Sequence, residues 1–228
     1  IKRNICAQLS RHSEKIYLID SEYDLIFFSE CGRIFLEIEP CDGHCNNIGR
    51  IYDYDRLLKA NRAAIWNSLC YLVRDIIHFD CVAVYRFNKY KSGQVIAESK
   101  VANIDSILGF HYPEFDIPEQ ARALYLLFRA RHVADIDAPT IDILGIDPEQ
   151  LDLGQCSLRA LSPIHLKYLR NAGVSASASF SIIINDQLWG LVVCQNMLGK
   201  NLDLSQRHVC ALLVEYSINY YFADYQSR

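Results

Sequence analysis

The chain has 228 residues, 51% of them hydrophobic and 22% charged, with a net charge of −4. That composition suits a globular core, offers no basic surface for nucleic acid, and contains no apolar run of the ~18 residues a membrane span needs. It opens Ile1-Lys2-Arg3, without an initiator Met or a signal-peptide pattern, and reads as a trimmed piece of a larger cytoplasmic protein. Nine cysteines invite a disulfide reading, but Cys70, Cys81, Cys194 and Cys210 sit inside apolar runs, where a thiol acts as a small buried hydrophobe. The denser Cys41-Asp42-Gly43-His44-Cys45 cluster lacks the paired second knuckle of a zinc site and reads as a plain loop, so no metal is expected.

Residues 1–40 hold three β-rich runs, 15–20, 25–29 and 33–39, split by polar or glycine turns. They need a shared apolar face to be stable, and no helix in the stretch covers them. A polar connector, 41–53, precedes an amphipathic helix predicted over 54–79 and interrupted once, at Asn61. Asp80 is expected to end it. Strands follow at 81–87 and 94–102, joined by a polar turn.

Residues 111–131 read His-Tyr-Pro-Glu-Phe-Asp-Ile-Pro-Glu-Gln-Ala-Arg-Ala-Leu-Tyr-Leu-Leu-Phe-Arg-Ala-Arg. A turn around Asp116-Ile117-Pro118 leads into a helix, with Pro118 in the first turn and Glu119 beside its positive end. An acid ahead of a helix is most often a cap. A short strand is predicted over 131–136, then a long loop, 137–156, of the kind that is usually functional or lid-like. In 158–174, Leu-Arg-Ala-Leu-Ser-Pro-Ile-His-Leu-Lys-Tyr-Leu-Arg-Asn-Ala-Gly-Val, Ser162 can cap, Pro163 can open the helix and Gly173 can end it. Residues 175–185 alternate serines with apolar groups, which places Ser175, Ser177, Ser179 and Ser181 on one face of a strand. A second strand, 188–196, completes a hairpin, and a long helix runs over 203–222.

Tyr112-Pro113-x-x-Asp116-Ile117-Pro118 and Ser162-Pro163-x-His165-x-x-Tyr168-Leu169-x-Asn171-x-Gly173-Val174 closely resemble signatures of the phytochrome family, specifically bacteriophytochromes. Val84-Tyr85-Arg86-Phe87 and Leu188-Trp189-Gly190-Leu191 extend the match, and residues 32–40 resemble the last strand of the PAS domain that precedes the GAF domain in that family. The resemblance implies an α+β fold: a GAF domain with an antiparallel sheet flanked by helices over 54–228, preceded by the C-terminal part of a PAS domain over 1–40. It also implies a red/far-red photoreceptor that holds a linear tetrapyrrole, biliverdin or a relative, and signals by light-driven Z/E isomerisation of the terminal ring.

By position, Arg131 and Arg159 would take the bilin propionates as planar cations, with hydroxyls from Ser177 and Ser179, and Ser162 would be a further contact to the ligand. The Asp116 carbonyl and His165 would meet the pyrrole nitrogens, with Ile117 and Pro118 shaping that turn. Tyr85, Tyr112 and Tyr168 would wall the terminal ring, Tyr125 would be a further contact to the ligand, and Gln195 would face the terminal-ring carbonyl. The resemblance further implies a homodimer through the long helices, a downstream PHY domain, and a two-component histidine kinase output outside this chain.

Three departures stand out. Pro113-Glu114-Phe115 replaces the family's Pro-Ala-Ser, and Gln195-Asn196 replaces a His pair. Ile164 stands where plant and cyanobacterial members carry an anchoring Cys, and Cys6 does not resemble the bacterial anchor. Two rival readings remain at this point. One is a plain GAF regulatory module for a cyclic nucleotide or other small effector. The other is an enzyme pairing Cys156 or Cys194 with His165 and Asp116.

Overall fold

The computed structural model describes residues 12–18, 21–30, 32–41 and 47–225. Cys6 and the His44-Cys45 pair lie outside the described residues. The chain forms two units: residues 1–45 with 139–160, and residues 46–138 with 161–228.

In the first unit, β1 (His12–Leu18), β2 (Ser21–Glu30) and β3 (Arg33–Pro40) make an antiparallel sheet in sequence order. The β2–β3 register runs from Tyr23 opposite Pro40 to Glu30 opposite Arg33. Gly32 takes the left-handed conformation (φ +76°) that so tight a link requires. Phe28 stacks on its cross-strand partner Phe35 at 4.9 Å. Side chains of this sheet find their partners far along the chain. Glu37 accepts hydrogen bonds from the Ser157 N–H (2.5 Å), the Ser157 hydroxyl (2.7 Å) and the Leu158 N–H (3.1 Å). Gln155 Nε2 donates to Glu30 at 2.7 Å, and Arg33 donates to the Gln150 carbonyl. The long loop and the residues just after it are thus stitched to β2 and β3.

The second unit is built on a six-stranded antiparallel sheet ordered β6-β5-β4-β9-β8-β7. Its strands are β4 (Cys81–Phe87), β5 (Gly93–Lys100), β6 (His111–Tyr112), β7 (Ala130–Val133), β8 (Ala176–Ile184) and β9 (Gln187–Asn196). Alternation sends Val82, Val84, Ala178, Phe180, Ile182, Val192 and Cys194 to one face. There they pack with α1 (Ile51–Ala60), α2 (Ile65–Ile77) and α5 (Leu204–Tyr225) into the main core. The other face receives α3 (Glu119–Leu127) and α4 (Pro163–Asn171).

The helix predicted over 54–79 is two helices. The Asn61 amide donates to the Leu57 carbonyl at 3.0 Å and its N–H to the Leu58 carbonyl. An asparagine that bonds the backbone locally competes with the helical ladder, and a 3₁₀ turn, Arg62–Ala64, fills the gap. α2 stops at Ile77 with His78 in the left-handed conformation (φ 53°), ahead of the expected Asp80. Asp80 instead accepts from the Met197 N–H (2.8 Å) and its own N–H donates to Asn196 (3.1 Å). Asn196 is thus a buried tie between the α2–β4 link and β9. The strand predicted over 131–136 occupies 130–133. α5 opens on a reciprocal cap, Asp203 accepting from the Gln206 N–H and Gln206 from the Asp203 N–H.

Candidate functional site

Three strand pairings define the site face. Reading across β4, β9, β8 and β7, one row runs Ala83–Val193–Ser179–Arg131, and the next runs Cys81–Gln195–Ser177–Val133. Residues paired across antiparallel strands point to the same side, so these eight share the face opposite the main core. Ala83, Val193, Ser177 and Ser179 are small, and they leave a floor that larger groups surround.

The rim is aromatic on one side. Ala83, Tyr85 and Val95 form a second apolar cluster with Phe87, Tyr112 and Ile117. Tyr85 meets Phe87 edge-on at 5.1 Å and Tyr112 at 5.8 Å. Its ring lies over Gly93, where a Cβ would fall 2.1 Å from the ring carbon Cζ. Asp116, on the short 3₁₀ turn Glu114–Asp116, acts on this wall. Desolvation, reinforced by the Asp116 charge, pushes the Tyr85 hydroxyl up to about 12 and raises that of Tyr112. Tyr168 also rises to about 12, through desolvation, then Tyr112 and Asp116. These four groups therefore lie within electrostatic reach of one another.

α4 supplies the opposite rim. The Ser162 hydroxyl accepts from the His165 N–H at 3.3 Å with Pro163 in the first turn, as the sequence indicates. Leu166 and Leu169 pack with Val133, Ile136 and Val174, which turns His165 and Tyr168 together (ring centroids 6.1 Å). Desolvation lowers the His165 pKa, and the Arg131 charge lowers it further. The imidazole is therefore neutral at neutral pH and can donate from one nitrogen and accept at the other.

Of the residues singled out in the sequence, Asp116, Tyr85, Tyr112 and Tyr168 come together, as do His165 and Arg131. Ser177, Ser179 and Gln195 lie on the floor by register. Ile117 packs into the aromatic cluster, and Pro118 is exposed at the start of α3. Ser177 and Ser179 have no side-chain hydrogen bond among the described residues. Ser181 differs: its hydroxyl lies 2.7 Å from the Tyr125 carbonyl and 3.0 Å from that of Phe128, so it closes the end of α3. Tyr125 thereby contributes its backbone to a structural contact. Arg159 belongs to the first unit.

The nucleophile reading loses Cys194, which is fully buried in the helical core, on the face away from His165; Cys156 belongs to the first unit. Sequence reasoning missed Ala83 and Val193, which the alternation of β4 and β9 could have supplied. It also missed the bonds of Glu114 and Arg122, joined at 3.0 Å, which only the fold reveals.

Comparison with known proteins agrees with this arrangement. Residues 56–218 match the family model described as the GAF domain. A bacteriophytochrome of Xanthomonas campestris pv. campestris is 45% identical over 128 residues, 54% of this chain and 20% of that protein. Cyanobacterial phytochrome B of Nostoc is 35% identical over 216 residues, 90% of this chain and 28% of that protein. The chain thus spans under a third of the length of these relatives. Among solved structures, the chromophore-binding domain of the R. palustris bacteriophytochrome RpBphP3 superposes with a TM-score of 0.85 at 31% identity, covering 95% of this chain and 75% of that one. With a matching domain model over most of its length, and homologues named bacteriophytochrome and phytochrome, the chain belongs to the GAF domain family.

Proposed function

We propose that this chain is the chromophore-binding part of a red/far-red photoreceptor, and that its ligand is a linear tetrapyrrole of the biliverdin type. The observation that carries the reading is the site face: a floor of small side chains with two unbonded serine hydroxyls, between a tyrosine wall within electrostatic reach of Asp116 and a neutral His165 beside Arg131. These groups fit the ligand's parts. The bilin, when bound, supplies absorption of red light and Z/E isomerisation of its terminal ring. Arg131 would hold a propionate with a planar, always-charged fork, and the Ser177 and Ser179 hydroxyls would donate to it. The Asp116 carbonyl would accept from pyrrole N–H groups, and His165 would offer a second contact to them. Bonds of this kind favour the cationic pigment. Tyr85, Tyr112 and Tyr168 would wall the terminal ring, and the Gln195 amide would donate to its carbonyl. Arg159, Ser162, Pro118 and Tyr125 enter the proposal on sequence resemblance alone.

The same reading assigns residues 1–40 to the end of a PAS domain, 41–53 to a connector and 54–228 to the GAF domain. It makes the chain a sensor rather than an enzyme, working in the cytoplasm as a homodimer, with a PHY domain and a histidine kinase output elsewhere in the protein. Among the described residues no helix is long and apolar enough to cross a membrane. The test is to mix the purified protein with biliverdin. A strong red absorption band that light moves reversibly is the expected result. A protein that leaves the biliverdin spectrum unchanged, or that takes up a cyclic nucleotide instead, would refute the reading.

A further inference from the structure

The turn that presents Asp116 is weakly built. Its two backbone hydrogen bonds are long, Asp116 N–H to the Pro113 carbonyl at 3.2 Å and Ile117 N–H to the Glu114 carbonyl at 3.3 Å. Prolines stand at the N-cap of this turn and of α3, and neither cap contributes a side-chain bond. Something else must hold the turn to the sheet. Ile117, packed in the aromatic cluster, is one anchor. The other is Arg122, whose side chain is only 12% exposed.

From the first turn of α3, Arg122 reaches back in two directions. Nη2 donates to the Glu114 carboxylate at 3.0 Å and Nη1 to the Lys91 carbonyl at 3.3 Å. Its guanidinium also lies 5.8 Å from the centre of the Phe87 ring, which abuts Tyr85. Lys91 is a firm point of attachment. It sits at φ 61° in the β4–β5 turn, which Asn88 locks through bonds to Ser92, Lys91 and the Tyr90 N–H. Lys91 Nζ adds a second cation 3.8 Å from Glu114. Glu114 is half exposed, so the ion pair itself contributes little stability. What the fork supplies is geometry, because a guanidinium donating along two fixed directions defines the distance between its acceptors. Glu114 is also one of the positions where the chain departs from the phytochrome wording, and the alanine usual there could accept nothing.

We propose that Glu114 and Arg122 are positioning residues: together they latch the Asp116 turn to the β4–β5 hairpin and so keep the Asp116 carbonyl aimed at the pigment's ring nitrogens. This rests on the photoreceptor reading above. The experiment has two arms. In the apoprotein, amide hydrogen exchange is followed at Asp116 and Ile117. In the biliverdin-loaded protein, the red band is titrated with alkali to find the midpoint of bilin proton loss.

Glu114→Ala is expected to speed exchange at both amides about tenfold. It is also expected to lower the proton-loss midpoint by about one pH unit, while the melting temperature stays within about two degrees of wild type. The charge swap Glu114→Arg with Arg122→Glu should restore both quantities toward wild type. Unchanged exchange in Glu114→Ala would overturn the latch, and faster exchange with an unmoved midpoint would overturn its role at the pigment. A wild-type protein that takes up no bilin would refute the photoreceptor reading, and the exchange arm would still decide for or against the latch.

Discussion

Gly93→Ala probes the aromatic wall through one added methyl group. Gly93 opens β5, opposite Phe87 on one side and Tyr112 on the other. Its Cβ would fall 2.1 Å from Tyr85 Cζ and 2.4 Å from both Cε1 and the hydroxyl oxygen. Carbon atoms settle about 3.5–4.0 Å apart, so the ring must retreat by roughly 1.5 Å. It has little room, because Tyr85 is 5% exposed and wedged between Phe87 and Tyr112. Overpacking of this sort costs about 1–3 kcal/mol, offset by about 0.4–1 kcal/mol from the stiffer unfolded chain. A net loss of about 1–2 kcal/mol lowers the melting temperature by about 3–6 °C for a protein of this size. Thermal unfolding followed by circular dichroism measures it in wild type and in a Tyr85→Ala background. With the ring removed, Gly93→Ala should be neutral or stabilising. An equal loss in both backgrounds would show that the glycine is required for some reason other than Tyr85.

The remaining predictions concern other parts of the two units. His132 is largely buried, with Nε2 3.1 Å from the Lys200 carbonyl. Desolvation, opposed by that carbonyl and aided by Arg207 and Arg131, holds its pKa at about 4. The unfolded chain takes up the proton near pH 6.5, so below that pH it binds more protons than the fold. Stability therefore falls as pH drops from 6.5 toward 4, by up to about 3 kcal/mol. Urea midpoints between pH 7 and 4 measure the slope, which His132→Gln should flatten.

Ser181→Ala removes the hydroxyl that serves two carbonyls at the end of α3 and should cost about 1–3 kcal/mol. Ser179→Ala should leave the urea midpoint in place while weakening biliverdin uptake. Glu37→Ala strips three acceptor contacts from the Ser157–Leu158 stretch, and limited proteolysis should cut within residues 139–160 faster than in wild type. Gln195→His should keep the red band but change the rate of dark reversion. An identical photocycle would show that the amide already does the imidazole's work.

Much of the site could be read from the chain because its chemistry is written in local order. Ser162-Pro163 caps α4 whatever surrounds it, and strict alternation along β8 and β9 fixes which serines share a face. What could not be read depends on partners distant in sequence. Ser181 has the same spacing as Ser177 and Ser179, yet a helix end 53 residues away claims its hydroxyl. Asn196 looked like half of a replaced His pair, but alternation turns it away from Gln195 and into a tie with Asp80. The break at Asn61 was visible as an interruption. That it would divide the helix depended on the amide turning back to Leu57. The 137–156 loop read as functional or lid-like, and only the bonds of Gln155 to Glu30 and of the adjoining Ser157 to Glu37 tie it to strands made more than a hundred residues earlier.

That last feature governs how the protein can be made. The first unit is discontinuous, and its acceptors on β3 wait for donors near residue 157. During synthesis it cannot be completed until β4, β5 and α3 have left the ribosome, and such long-range closure slows folding. An expression clone starting at residue 46 would therefore not yield an independent second unit. It would carry residues 139–160 as an orphaned excursion, stripped of the strands that give them their shape.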